Sequence, residues 1–184
     1  MIMFKGWWHL LPDEERQQWT LEPFVGVGPL CFGMSPVEVA AVMSRVTAET
    51  EGHQRHSPAN SNVSMVVQGV YPMFGLHLFY RDERLAGVVV DALCGPQVSV
   101  EGMRLVGRLP SVLEQWMVDR AETLPPESEL VYMGAGVPAS ESLGVTINLQ
   151  REGDRLLTRP VFYPAEALDD LSHWLPRDVW AIHG

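Results

Sequence analysis

A chain of 184 residues, 46% hydrophobic and 20% charged, has an ordinary globular composition and the length for one well-buried domain or two small, closely packed ones. Thirteen basic residues against 23 acidic ones give a formal charge of −10. That balance excludes the clustered Lys and Arg that nucleic acid or an anionic membrane surface requires, and it suits a basic protein partner, self-association or plain solubility.

Residues 1–20 read as a lead-in segment carrying Trp7, Trp8 and Trp19 around Pro12-Asp13-Glu14-Glu15, a proline-then-acid run suited to the first turn of a short helix. The tryptophans are expected to anchor the segment in the core or at a contact between copies. Met1 to Leu11 lacks the long apolar stretch and small-residue cleavage site of a signal peptide, and no apolar run reaches membrane-spanning length, so a cytoplasmic protein is expected. Phe24-Val25, Gly26-Val27-Gly28 and Leu30-Cys31-Phe32 predict a hairpin. Cys31 and Cys94 are too few for a disulfide scaffold and sit among apolar neighbours, which predicts buried free thiols.

The hairpin leads into Gly33-Met34-Ser35-Pro36-Val37-Glu38, a strand-to-helix turn. Gly33 supplies the bend, Ser35 caps the first amides, Pro36 takes the first helical position and Glu38 reaches back to complete a capping box. Glu38 and the lack of a Gly-rich phosphate motif speak against an anion site here. A helix is expected from Pro36 to about Ala48, with Val39, Val42, Met43 and Val46 as its core stripe.

The polar run 49–62 reads as a surface loop. Strands are then expected at Val63–Val70, Phe74–Tyr80 and Leu85–Leu93, the last two joined by Arg81-Asp82-Glu83-Arg84 as a tight antiparallel connection. Alternation places His77 on the face opposite Leu76 and Leu78.

The second half follows the same order. A hairpin at 98–106 precedes Gly107-Arg108-Leu109-Pro110 and a helix to about Glu122, with Leu113, Trp116 and Met117 where Val39, Val42 and Met43 stood. Strands are expected at Glu129–Met133, Gly144–Gln150 and Leu156–Phe162, with the turn Arg151-Glu152-Gly153-Asp154 matching 81–84. The fold class is therefore α+β, a tandem duplication of a hairpin, helix and antiparallel sheet over 21–96 and 97–163. The spacing, 74 positions from Gly33 to Gly107, is too long for a solenoid repeat. A C-terminal helical tail at 164–184 starts at Pro164-Ala165-Glu166 and docks Leu168, Leu171, Trp174 and Leu175 on the body; its tryptophans and those of the N-terminus are expected to bury each other.

Leu30 to Val39, apolar-x-apolar-Gly-Met-Ser-x-x-Glu-Val, resembles the start of the repeat in β-lactamase inhibitor protein and in the small lipoprotein of the outer-membrane barrel assembly machinery, and it is similar to segments of uncharacterised actinobacterial proteins. The second repeat departs from this pattern, with Arg108-Leu109 for Met34-Ser35 and Val112 for Glu38. The resemblance implies a fold that displays a sheet face to a protein partner; inhibition of a β-lactamase is not implied.

Chemistry-bearing motifs are sparse. His53-Gln54-Arg55-His56, near Glu49 and Glu51, is a cluster of metal-type ligands without the spacing of a known zinc site, and no metal or other cofactor is expected. No serine sits in a nucleophile elbow, Gly134-Ala135-Gly136 lacks the lysine and helix of a phosphate loop, and no catalytic residue is assigned. Three readings stay open. The first is a non-catalytic binding module, of inhibitor or immunity type, that meets a basic partner through Asp82, Glu83, Glu152, Asp154, Asp169 and Asp170. The second is a small-molecule binder or enzyme with a cleft between the repeats lined by His77, Tyr80 and Tyr132. The third is a self-assembling structural protein.

Overall fold

In the first helix, α1 (Pro36–Met43), Ser35 Oγ accepts from the Glu38 amide at 3.3 Å and a Glu38 carboxylate oxygen accepts from the Ser35 amide at 2.7 Å, closing the capping box. Gly33 turns the chain into it at φ 89°. The helix ends at Met43 rather than Ala48: Ser44 Oγ bonds the Ala41 carbonyl at 2.7 Å, and Val46 and Thr47 are poor helix formers.

The computed structural model describes residues 9–56, 66–124, 130–134 and 136–184. Before α1 lie β1 (Gln18–Glu22), β2 (Gly26–Val27) and β3 (Leu30–Cys31); after it come β4 (Gly52–His56), β5 (Val66–Tyr71), β6 (Leu76–Arg81) and β7 (Arg84–Val90). The second half supplies β8 (Gln97–Val100), β9 (Met103–Arg104), α2 (Pro110–Ala121), β10 (Leu130–Met133), β11 (Val137–Ser140), β12 (Val145–Glu152) and β13 (Arg155–Phe162), followed by a short α3 (Leu171–Trp174). The fold is α+β with two sheets. The larger runs β10-β11-β12-β13-β7-β6-β5-β4, antiparallel throughout; the smaller runs β3-β2-β1-β8-β9, with β1 and β8 parallel.

One face of the large sheet, including Leu76, Leu78, Tyr80, Val88, Ile147 and Phe162, packs on Val39 and Met43 of α1, Leu113 and Met117 of α2, and Trp19, Leu21 and Val98 of the small sheet. The opposite face carries Val66, Phe79, Val89, Val161 and Tyr163 beneath the tail residues Ala167, Leu175 and Val179. Both halves of the chain thus share their cores.

Several expectations change. β1 alternates exposed and buried residues and crosses the boundary expected at 20/21, so the lead-in is part of the small sheet. Residues 52–56 form an edge strand paired along its length with β5, not a loop. β11 was hidden by Pro138, which sits opposite Tyr132. The tail is three short turns, 165–169, α3 and 177–180, rather than one helix. Trp19 packs in the first core at 5.7 Å from the Phe74 ring, whereas Trp174 and Trp180 pack on the opposite face, so these do not bury each other; Trp7 and Trp8 lie outside the described residues.

Candidate functional site

The six acids do not form one face. Asp82 and Glu83 are exposed at the β6–β7 turn, both in the left-handed conformation that a tight hairpin requires (φ 48° and 60°). Glu152 and Asp154 occupy the β12–β13 turn. Because β13 pairs antiparallel with β7, Val161 opposite Val89, the two tips point to opposite ends of the sheet. The exposed Asp169 and Asp170 belong to the first end, where Arg81 donates to the Trp174 carbonyl at 2.7 Å and stacks over the Trp174 ring at 4.4 Å. Glu152 is half-buried and paired with Arg155, and Asp170 is held below its ordinary pKa by His173 at 2.8 Å.

The three cleft residues are also apart. Tyr80 is buried in the first core, His77 shares the opposite face with Phe79, and Tyr132 is exposed on the far edge strand β10. The cause is strand alternation within β6 and the width of the sheet between β6 and β10.

Tyr80 instead belongs to a network that sequence spacing did not show. Its hydroxyl donates to Glu51 at 2.8 Å, the Tyr71 hydroxyl approaches the other oxygen at 3.5 Å, and His53 Nε2 lies 3.6 Å away. Gly69, facing His53 across the β4–β5 pair, leaves room for the carboxylate: a Cβ there would sit 1.6 Å from Glu51 Oε1. Burial raises the Glu51 pKa above its ordinary 4.5 against the opposing pull of Tyr80, His53 and Tyr71. Glu49 spends both oxygens on the Met73 and Phe74 amides, at 3.0 and 2.9 Å. The two acids thereby fasten the β4 edge to the sheet.

A pH dependence follows. The native state holds the Glu51 proton more tightly than the unfolded chain, so this group's contribution is fully present below about 4.5 and is lost as pH rises through the raised native value. Glu51→Gln, which keeps an acceptor for Tyr80, is expected to flatten that decline and raise the urea midpoint at pH 7; Tyr80→Phe is expected to lower the unfolding free energy by about 1–3 kcal/mol. Parallel pH profiles for Glu51→Gln and the parent would contradict the assignment.

The cysteines also differ from expectation. Cys31 is exposed because β3 turns Leu30 inward, and Cys94 is half-buried with its thiol pushed up to about 12 by burial and by Asp91, whose oxygen is 3.4 Å from Sγ. A disulfide reagent at pH 8 is expected to titrate one thiol rapidly and none in Cys31→Ser; two equally fast thiols would contradict this.

The surface that sequence reasoning missed is the outside of α2. Leu109 and Val112 are 51% and 50% exposed, and a groove of about 460 Å³ runs between Met103 and the helix, lined by Ser111, Val112, Gln115, Trp116 and Asp119. On the other flank the Tyr132 hydroxyl donates to Glu114 at 3.0 Å. Exposed Glu114, Asp119 and Glu122 make the helix acidic, and its cation, Arg120, is engaged by Glu101 at 2.8 Å and Ser142 at 2.8 Å. The outward Val112 was the available signal, but helical spacing draws attention to the buried stripe.

Among the described residues no group of three or more His, Cys, Asp or Glu is placed to hold a metal ion, and no helix is long and apolar enough to cross a membrane. No family model matches the chain, and no curated protein or solved structure is significantly similar to it.

Proposed function

We propose that this chain is a non-catalytic protein-binding module, of inhibitor or immunity type, that takes a basic partner on the outside of α2. The observation that carries the reading is the combination there of exposed Leu109 and Val112, an apolar groove floored by Trp116 and Met103, and an acidic rim. Buried aromatic and aliphatic anchors supply the affinity of such a surface, and rim charges speed encounter with a partner of opposite sign. The six turn and tail acids, split between two ends of the sheet, contribute to the long-range field rather than to the contact.

The finer architecture of the module is a tandem duplication. Outward from the β7–β13 pair, both halves of the large sheet follow the reverse chain order, and Gly33 (φ 89°) and Gly107 (φ 65°) each precede a helix that begins with proline. Val39 and Leu113, and Met43 and Met117, are the buried residues of the two helices at matching positions.

The test is affinity capture from the source cell with parent, Val112→Arg and Asp154→Lys proteins, at low and high salt. A basic protein is expected with the parent and Asp154→Lys, lost with Val112→Arg and weakened by salt. A monomer that captures no basic protein, or captures it equally with Val112→Arg, would overturn the reading. A dimer dissolved by Val112→Arg would favour self-association.

A further inference from the structure

Arg159 is a buried cation with no direct ion pair. It lies on β13, is only 6% exposed, and its Nε is buried with no hydrogen-bond partner; among the described residues its guanidinium makes no hydrogen bond or ion pair. The carboxylate nearest in register, Asp91, attracts Arg159 only through space, its oxygens being taken by other donors: one accepts from the Leu93 and Cys94 amides at 2.8 and 3.0 Å, the other from Gln150 at 2.9 Å. Asp178 is exposed and acts on Arg159 only through space. A buried charge left in this state is costly unless an acceptor reaches it.

The surroundings supply donors. The 177–180 turn lies over Asn148, the register partner of Arg159, whose amide nitrogen donates to the Val179 and Ala181 carbonyls at 2.7 and 3.1 Å. That turn carries Trp180, whose indole N–H is buried and has no partner. On the same face of the sheet Gln68 donates to His77 Nδ1 at 3.1 Å, which puts the proton of the neutral imidazole on Nε2. Burial and Arg159 keep this imidazole neutral, its pKa pushed down to about 4.

We propose that the sheet face beneath the 177–180 turn binds a small, singly charged carboxylate, with Arg159 as counter-charge and Trp180 Nε1–H and His77 Nε2–H as neutral donors. Asp91 already offsets part of the Arg159 charge through space, so the site has room for at most one further negative charge; a dianion would bring a second one beside Asp91 and the apolar Val89, Val161 and Val179. The tail is the strap that closes the site, tied at its far end by His183, whose amide donates to the Leu149 carbonyl at 3.0 Å and whose carbonyl accepts from Arg151 at 2.7 Å.

Acetate is the probe, titrated into the full chain at constant ionic strength with chloride as the reference salt. The side-chain N–H resonances of Arg159 and Trp180 are expected to shift together and to saturate. The melting temperature should rise by roughly 5–10 °C at a hundredfold excess over the dissociation constant. Arg159→Leu should abolish both effects. Trp180→Phe, which keeps the cation and the fold should Arg159→Leu fail to fold, should weaken acetate roughly threefold to tenfold. Shifts that stay linear in acetate, or that persist unchanged in Trp180→Phe and Arg159→Leu, would overturn the proposal, and so would equal stabilisation by chloride.

Discussion

Leu113→Asp and Val39→Asp are each expected to leave the chain unfolded at 25 °C, while Trp116→Asp and Val42→Asp yield folded, weakened proteins. Leu113 and Val39 are fully buried in the apolar cluster where the two helices meet the large sheet. An unpaired acid in such a site costs several kcal/mol, against a total domain stability of about 5–15 kcal/mol. Trp116 and Val42 are half-buried, and Trp116 lines the open groove beside Met103, so an acid there can reach water at a cost of about 1–3 kcal/mol. His53→Ala, at a side chain 48% exposed, should stay within about 0.5 kcal/mol. Far-UV circular dichroism and urea midpoints would rank the five proteins. Equal losses at positions 113 and 116 would show that the groove closes in solution.

That ranking marks where the sequence could be read and where it could not. The capping box, the β6–β7 turn and the paired helices were legible because each depends on residues within a few positions of one another: Ser35 with Glu38, and Asp82 with Glu83. Helical spacing identified Leu113 and Met117, and it also admitted Trp116 and Val42, since spacing gives a stripe without saying which edge meets the core. β1 escaped because Gln18-Trp19-Thr20-Leu21-Glu22 is polar by count, though its alternation is that of a half-buried strand. β4 escaped because its edge position lets it be written almost wholly in polar residues. The cleft of His77, Tyr80 and Tyr132 failed because positions in different strands acquire a distance only when sheet order is known. The same blindness hid Glu51 from Tyr80 and Arg159 from the tail. It also hid Arg16, buried to 6% exposure, whose guanidinium donates to the Gly95 and Ala92 carbonyls at 2.8 Å each and to Leu93 at 3.1 Å.

That clamp on residues 91–95 sets up the second large effect. Gly75→Ala is expected to cost roughly 2–5 kcal/mol, because two penalties combine that most glycines do not share. Gly75 has φ 73°, where an added side chain is strained, and a Cβ there would lie 2.5 Å from the Gly95 nitrogen, 2.7 Å from its Cα and 2.8 Å from the Cys94 carbonyl carbon. These are backbone atoms that cannot rotate away. The opposing turn is also held from three sides: Arg16 binds its carbonyls, the Asp91 carboxylate binds the Leu93 and Cys94 amides, and the Asp91 amide donates to the Gly75 carbonyl at 2.9 Å. On the near side Glu49 fixes the Met73 and Phe74 amides, so the β5–β6 connection has little freedom to retreat. Gly153→Ala is the control, with φ 57° and no atom within 4 Å of the added carbon, and should lose only about 1 kcal/mol. Urea midpoints of the two variants measure the difference directly. If Gly75→Ala lost no more than Gly153→Ala, the 91–95 turn would have to move with it, and the Arg16 clamp would be too weak to hold that turn in place.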